Sequence, residues 1–313
     1  MRALRLPALE RWLAAADVER KPGGATAWLA GRFGLPSPIP AAPIALAAER
    51  NGASAGAWLR ADPVHVRIGQ TSAVVETGAR LGIDADEAAA LTAALSVHFR
   101  EDGLAFVAAA AERWYVRVPE GELPETPDAQ DANDARALAA LPVSHGRVNW
   151  RSALTEAQML LAGHDVNTAR EARGAPAINS LRLWGGGTWP VKVSRPYDAI
   201  RADDTFVRGL GIAGGVRLFD LPQGLEAMPR TTDTTLVFVD TLAAFAARGD
   251  TASWRDAAAA LERGWFEPLR PALDRLAPVR LVLSGANGSL VATLKRPSLL
   301  ARLRSVKPLA AYA

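Results

Sequence analysis

Between Pro119 and Asp134 the chain carries six acidic residues, no Lys or Arg, several prolines and a single large apolar side chain, Leu123. Such a segment has too little apolar surface to repay the entropy of ordering it, so it reads as a solvated connection that divides the chain. The pattern changes across it. Upstream, Val64, Val66 and Ile68 alternate as a strand, Val74 and Val75 lie in a second, and Asp84 caps an Ala/Leu-rich helix that runs to about Phe99. Leu104–Val107 and Trp114–Val118 add two more strands, which makes a compact ββαββ unit. Downstream, strands alternate with helices: a helix over about 149–163, a strand at Ser180–Trp184, a helix from about Asp204 and a strongly apolar strand at Thr234–Val239. A further helix follows, boxed by Ser253 and Asp256 and ended or bent at Pro268, and then a hairpin with Asn287-Gly288 as its turn. This alternation predicts an α/β layered core with a largely parallel sheet. The expected boundaries are residues 1–59 together with 142–313 for the core, 60–118 for an inserted α+β domain and 119–141 for an acidic linker.

The amino-terminal region reads as two short amphipathic helices broken at Lys21-Pro22-Gly23-Gly24, after which Pro36, Pro38, Pro40 and Pro43 enforce an extended segment. Of 313 residues, 49% are hydrophobic and 22% charged, which excludes disordered and fibrous classes. The formal charge of +3 demands neither nucleic acid nor a membrane surface. Eight Lys or Arg stand against one acid from Arg270 onward, but no aromatic platform accompanies them, so nucleic acid is not an expected partner. Charges interrupt the first twenty residues, and no apolar run approaches the roughly 20 residues that span a bilayer. The expected location is cytoplasmic. With no Cys, the chain has no disulfide, thiolate nucleophile or Cys-ligated metal.

Few motifs carry chemistry. Gly209-Leu-Gly211-Ile-Ala-Gly214 has the spacing of a dinucleotide fingerprint, but it ends a helical stretch instead of linking a strand to a helix. The run Gly185-Gly186-Gly187 follows a strand, where a backbone nest could hold an anion or where the chain simply turns. Just upstream, Asn167, Arg170, Arg173 and Asn179 form a polar group whose two guanidinium forks suit a phosphate or carboxylate. The alternative is that these residues cap helix ends and tie a helix to the sheet. Asp240 follows an apolar strand and is a weak candidate metal ligand. His65, His98, His145 and His164 are scattered without a metal-binding spacing, and no serine elbow is present.

The stretch from Leu154 to Gly187, with E-x-Q-M-L-L, H-D-V-N-x-x-R-E-x-R-G-x-P-x-x-N-S-L and the glycine run, resembles archaeal-type cofactor-independent phosphoglycerate mutases of the alkaline phosphatase superfamily. Ala61-Asp-Pro-Val-His-Val-Arg and Gly82-Ile-Asp-Ala-Asp-Glu-Ala are similar to segments of the inserted domain of that family, and bacterial mutase-like proteins of the RpfE regulatory type are similar too. The resemblance implies an alkaline-phosphatase-like core with an insertion, a serine nucleophile and two metals. At the matching positions this chain differs. Pro22-Gly23-Gly24-Ala25 stands where the family has P-G-S-D, the D-x-x-G-H after a core strand becomes a segment from Asp240 to Gly249-Asp250, and T-G-D-H-S becomes Ser284-Gly285-Ala286-Asn287-Gly288. No catalytic residue, metal or cofactor is therefore assigned. The expectation is a degenerate, regulatory or ligand-sensing member that takes a phosphorylated small molecule or a protein as partner, through Asn167, Arg170, Arg173, Asn179, Gly185, Gly186 and Gly187. The alternative is an active metal-dependent mutase or phosphatase.

Overall fold

The computed structural model describes residues 4–50, 55–68, 73–126, 142–229, 231–285, 288–295 and 305–312. In chain order its elements are α1 (Pro7–Ala15), β1 (Asp17–Lys21), α2 (Ala25–Phe33), α3 (Ala41–Glu49), β2 (Gly56–Ile68), β3 (Ala73–Thr77), α4 (Ala85–His98), β4 (Ala105–Ala110), β5 (Arg113–Val118), α5 (Trp150–Ala162) and α6 (Asp165–Ala172). They continue with β6 (Ser180–Trp189), β7 (Ala199–Arg201), α7 (Thr205–Ala213), β8 (Arg217–Phe219), β9 (Thr235–Val237), α8 (Thr241–Arg248), α9 (Thr251–Leu261), α10 (Glu267–Leu276), β10 (Val279–Gly285) and β11 (Gly288–Leu294). Two compact units result, one of Met1–Gly31, Pro196–Asp204 and Arg217–Ala313, the other of Arg32–Arg195 and Thr205–Val216.

In the second unit β2 is the centre of an antiparallel sheet. β6 runs along one edge, from Gly56↔Trp189 to Val64↔Ser180, while β5 and β3 share the other edge and β4 pairs outside β5. Both faces of β2 are covered. Ala57, Leu59 and Ala61 face a cluster with Leu91 and Leu95 of α4 and Trp150 of α5, whereas Trp58 and Tyr115 pack beneath Ala42, Ala45 and Leu46 of α3. A capping box starts α4: Asp84 accepts from the Glu87 N–H at 2.8 Å and the Glu87 carboxylate returns to the Asp84 N–H at 3.2 Å.

The glycine run belongs to β6 and is not a loop beyond it. Trp58 faces Gly187 while Arg60 faces Trp184, so β6 carries an extra residue over this step, and Gly185 takes up the bulge at φ +66°. A Cβ on Gly187 would lie 2.3 Å from Pro40 Cβ, so the first turn of α3 sits directly on the strand. The proline segment is also shorter than expected. α3 already includes Pro43, tolerated in a first turn whose N–H groups lack helical partners anyway.

In the first unit β1 pairs antiparallel with β11, and β11 with β10. Parallel pairing is confined, among the described residues, to the three short strands β8, β7 and β9. The fold is thus mixed α/β, and the largely parallel sheet is corrected: the strand expected to extend it, β6, instead closes the antiparallel sheet on β2. For the same reason the compact unit that holds residues 60–118 reaches back to Arg32 and forward to Arg195. Val64–Ile68 and the strand at Thr235–Val237 do lie in different sheets. Residues 127–141 of the acidic linker lie outside the described residues, but Glu122 in its first part is buried and accepts from the Val148 N–H at 2.8 Å.

Unanticipated long-range ties hold the first unit. The Glu262 carboxylate accepts from the Ala8 and Leu9 N–H groups, which caps α1, whose own N-cap residue Leu6 provides no side-chain bond. Glu262 opens a π-helical turn, Glu262–Phe266, just before Glu267-Pro268, where a bend was expected. Asp250, not Ser253, caps α9 by accepting from the Ser253 N–H at 3.0 Å. Gly288 pairs with Gly285 as a strand residue and so is not part of a turn as expected; Ala286 and Asn287 lie outside the described residues.

Close packing of backbone makes one glycine indispensable in α7. A Cβ at Gly209 would lie 1.9 Å from the carbonyl oxygen of Ile44 in α3, so Gly209→Ala is expected to destabilise by about 1–3 kcal/mol or more through overpacking. Gly31, inside α2, has nothing within 4 Å of a Cβ, and Gly31→Ala is expected to stabilise by about 0.5–1 kcal/mol. Urea denaturation of the two variants checks the opposite signs.

Candidate functional site

Arg170, on α6, is completely buried. Its Nε donates to the Pro176 carbonyl at 2.9 Å, one terminal nitrogen to Glu87 at 2.5 Å and to the Gly82 carbonyl at 3.5 Å, and the other to the Leu81 carbonyl. Arg173 donates to the second oxygen of the same Glu87 carboxylate. The fork that suits a phosphate is thus filled by one carboxylate and three backbone carbonyls. Burial alone would raise the Glu87 pKa, but the bond from Arg173, the Asp84 N–H and the charge of Arg170 outweigh it and hold the carboxyl below its ordinary value of 4.5.

Asn167 is likewise spent inside the protein. Its amide donates to the carbonyls of Leu161 and Ile178 at 2.7 and 2.8 Å and accepts from the Ile178 N–H at 2.7 Å. Asn179 brackets Val66, accepting from its N–H at 2.8 Å and donating to its carbonyl at 2.9 Å, so the side chain prolongs the pairing of β2 beyond the start of β6. The structure brings Asn167, Arg170 and Arg173 together on α6 and at its end as anchors. It does not place them with Gly185–Gly187, which lie on the far part of β6 against α3. Of the four polar residues only Arg173, with its side chain 49% accessible, keeps substantial exposure.

A second polar cluster was not singled out in the sequence. Arg60 and Asp62 of β2 are buried charges: Arg60 donates twice to one Asp62 oxygen and once to the Tyr115 hydroxyl, while Arg182 and Trp184 donate to the other Asp62 oxygen at 3.0 and 2.7 Å. Burial would lower the Arg60 pKa, yet Asp62 holds it above its ordinary value; burial raises the Tyr115 hydroxyl. Charged residues at alternate positions of an otherwise apolar strand were the available signal. Asp62 thus accepts four bonds from within the cluster.

Two of the segments that the resemblance matches to nucleophile and metal-ligand loops, Pro22–Ala25 and Ser284–Ser289, approach each other in the first unit through their described residues; Ala286 and Asn287 lie outside these. Ser289 Oγ donates to the Gly23 carbonyl at 3.0 Å and lies 2.8 Å from Ser284 Oγ. A Cβ at Gly288 would come within 2.8 Å of the Lys21 carbonyl oxygen, and one at Gly24 within 3.4 Å of that of Gly285. The two segments therefore close on each other through backbone. Asp240 is exposed and opens α8 without a side-chain cap bond. Among the described residues no three His, Asp or Glu side chains gather closely enough to hold a metal ion. All four histidines serve local contacts: His65 with the Ala177 carbonyl, His98 with Glu156, His145 with Glu125, and His164 as the cap of α6. Two divalent ions need several carboxylate or imidazole ligands, which hydroxyls and carbonyls at Pro22–Ala25 and Ser284–Ser289 do not supply.

No protein-family model matches the chain, and no curated protein matches it significantly. Among solved structures, the PH0037 protein from Pyrococcus horikoshii is similar at 14% identity and a TM-score of 0.54, over 93% of this chain and 80% of that one. A cofactor-independent phosphoglycerate mutase from Thermoplasma acidophilum is also among the structural neighbours, at 16% identity and a TM-score of 0.48, over 99% of this chain and 87% of that one. At these identities the likeness to the Pyrococcus protein is one of fold, and it extends over nearly the whole chain. No helix among the described residues is long and apolar enough to cross a membrane.

An anchoring role for Arg170 has a measurable signature. Arg170→Ala takes one of two guanidinium partners from buried Glu87 and leaves the Pro176 and Leu81 carbonyls without their donor, and it is expected to cost about 3–5 kcal/mol. A carboxyl with a depressed folded pKa contributes stability that is full above its unfolded value and lost as the pH falls through the folded one. Glu87→Gln is therefore expected to be less stable than wild type at pH 7, with a flatter loss of stability below its ordinary 4.5. Denaturant melts from neutral to acidic pH check both expectations.

Proposed function

We propose that this chain is a catalytically degenerate, phosphoglycerate-mutase-like protein with a regulatory role. The observation that carries the proposal is the junction of Pro22–Ala25 with Ser284–Ser289, the positions at which the sequence resemblance puts nucleophile and metal ligands. There the chain offers glycines, serine hydroxyls and backbone carbonyls, without a carboxylate or imidazole. Phosphoryl transfer in such a site depends on metal charge to bind the transferred group and to lower the pKa of its nucleophile. The residues present do not fit two metals, so no catalytic step is assigned to them.

A regulatory role through another macromolecule is favoured over sensing of a phosphorylated metabolite by residues 167–187. Asn167, Arg170 and Asn179 already direct their polar groups to protein partners, and the glycine run is a paired strand. Purified protein is expected to carry no stoichiometric Mn, Zn or Mg and to leave 2- and 3-phosphoglycerate unconverted when those ions are added. Metal analysis with a coupled mutase assay checks this, and stoichiometric metal with turnover would establish the active enzyme instead. 3-Phosphoglycerate is expected to leave the melting temperature unchanged; a saturable rise that Arg173→Ala removes would restore metabolite sensing.

A further inference from the structure

Ser305–Tyr312 lies on the first unit and touches it sparingly. Six of its eight residues are exposed; Leu309 and Tyr312, both half-buried, pack against the apolar cluster that includes Leu6, Leu9 and Leu13 of α1 and Leu290 of β11. The two stand three positions apart in one short 3₁₀ turn, Leu309–Tyr312, before which the Ala311 N–H donates to the Pro308 carbonyl at 2.9 Å. At that spacing the side chains of such a turn lie on one side of it.

Two hydrogen bonds cross from the unit to this segment, and both go to its backbone. Glu10 of α1 accepts from the Leu309 N–H at 3.1 Å, and Arg20 of β1 donates to the Tyr312 carbonyl at 2.9 Å. Glu10 is completely buried, and the Arg5 guanidinium donates to the same carboxylate at 3.0 to 3.2 Å. A buried carboxylate needs partners to offset its lost hydration. One of these partners, the Leu309 N–H, comes from 299 positions along the chain. The side chains of Val306 and Lys307 stay exposed. What α1 and β1 recognise in the segment is thus one turn of backbone with an aliphatic residue at its start and an aromatic one at its end.

We propose that α1 and β1 form a docking site for a short peptide turn, an aliphatic residue followed three positions later by an aromatic one, and that Ser305–Tyr312 fills it as a built-in competitor which a partner's segment of this pattern displaces. The chemistry of the occupant is set by the segment seated there. Backbone N–H and C=O groups are available from any peptide and supply affinity, while the two side-chain seats supply selectivity, as in other modes of peptide recognition. Release requires little: the segment buries few apolar contacts and its bond to Arg20 is exposed, features of the parts of a fold that open at low free energy. A tethered ligand competes at an effective concentration of roughly mM, so the site is occupied until a better ligand arrives or the tethered one is weakened. This surface is distinct from the junction of Pro22–Ala25 with Ser284–Ser289, and the inference holds for an active or an inactive chain.

The probe is a labelled synthetic peptide, Ser305–Tyr312, titrated into the full chain and read by fluorescence anisotropy. Leu309→Asp in the chain unseats its own segment and is expected to bind the peptide about tenfold or more tightly than wild type does, with little change in the thermal melt. A peptide methylated at the leucine nitrogen cannot donate to Glu10, and one carrying Tyr312→Ala lacks the aromatic contact. Each is expected to bind about tenfold more weakly. In wild type, saturating peptide is expected to speed hydrogen exchange at the chain's own Leu309 amide. A folded Leu309→Asp chain that does not bind the peptide would overturn the proposal. So would equal binding of the methylated peptide, or a wild-type Leu309 amide that exchanges as slowly as those of β11 with or without peptide. Should Leu309→Asp fail to fold, the exchange measurement on wild type decides alone.

Discussion

The pairing of β2 with β6 is the constraint on which the second unit depends. It joins Gly56–Val64 to Ser180–Trp189 across more than a hundred residues of chain, and it buries a central strand that has apolar neighbours on both faces. Once the register is set, the remaining details follow as accommodations. The extra residue of β6 must bulge, the bulge needs a residue at positive φ, and the proline-led start of α3 can sit on the strand because glycines remove the obstructing side chains. Asn179 continues the pairing where β6 begins, and Asn167 and Arg170 fasten the helix that leads into it. Residues that look like a ligand cradle in one dimension are the fittings of this long-range strand pair.

Under the proposed function, this division of labour accounts for a fold that keeps its shape while its chemistry disappears. The anchors lie in the sheet and on α4 and α6, whereas the described residues of the matched segments lie in the first unit, Pro22–Gly24 just past β1 and Ser284, Gly285 and Gly288 at the ends of β10 and β11. A cluster of carboxylates that awaits metal is self-repulsive, and glycine and serine relieve that repulsion and let the loops close by backbone contact. Under that proposal, losing the ligands costs the scaffold little.

The ββαββ order over residues 56–118 was legible because alternation, a capping residue and turn signals all agreed. So were α5, α7 and the terminal hairpin. β1 was not, since Asp17-Val-Glu-Arg-Lys has no apolar alternation; it is an exposed edge strand whose pairing with β11 supplies what its side chains do not announce. The direction of β6 was misread because local alternation of strand and helix says nothing about which distant strand offers a free edge. For the site, the sequence offered residues 167, 170, 173 and 179 as a ligand-binding group or as anchors; Asn167 finds its partners within eleven positions, whereas those of Asn179 and Arg173, Val66 and Glu87, lie far away in sequence. Glu87 was visible only as part of a helix-capping pattern.

The cap that Glu262 places on α1 bears on how the protein is made. Helix α1 waits for a carboxylate some 250 residues later, and β1 waits for β11, later still. On a ribosome α1 and β1 thus remain without these partners until Glu262 and β11 have been synthesised, while most of the unit centred on β2 is contiguous in sequence and can assemble during elongation. Pro7–Lys21 is a late-folding part of the molecule, and it is there, during synthesis, that a chaperone or a protease would find the longest-lived opening.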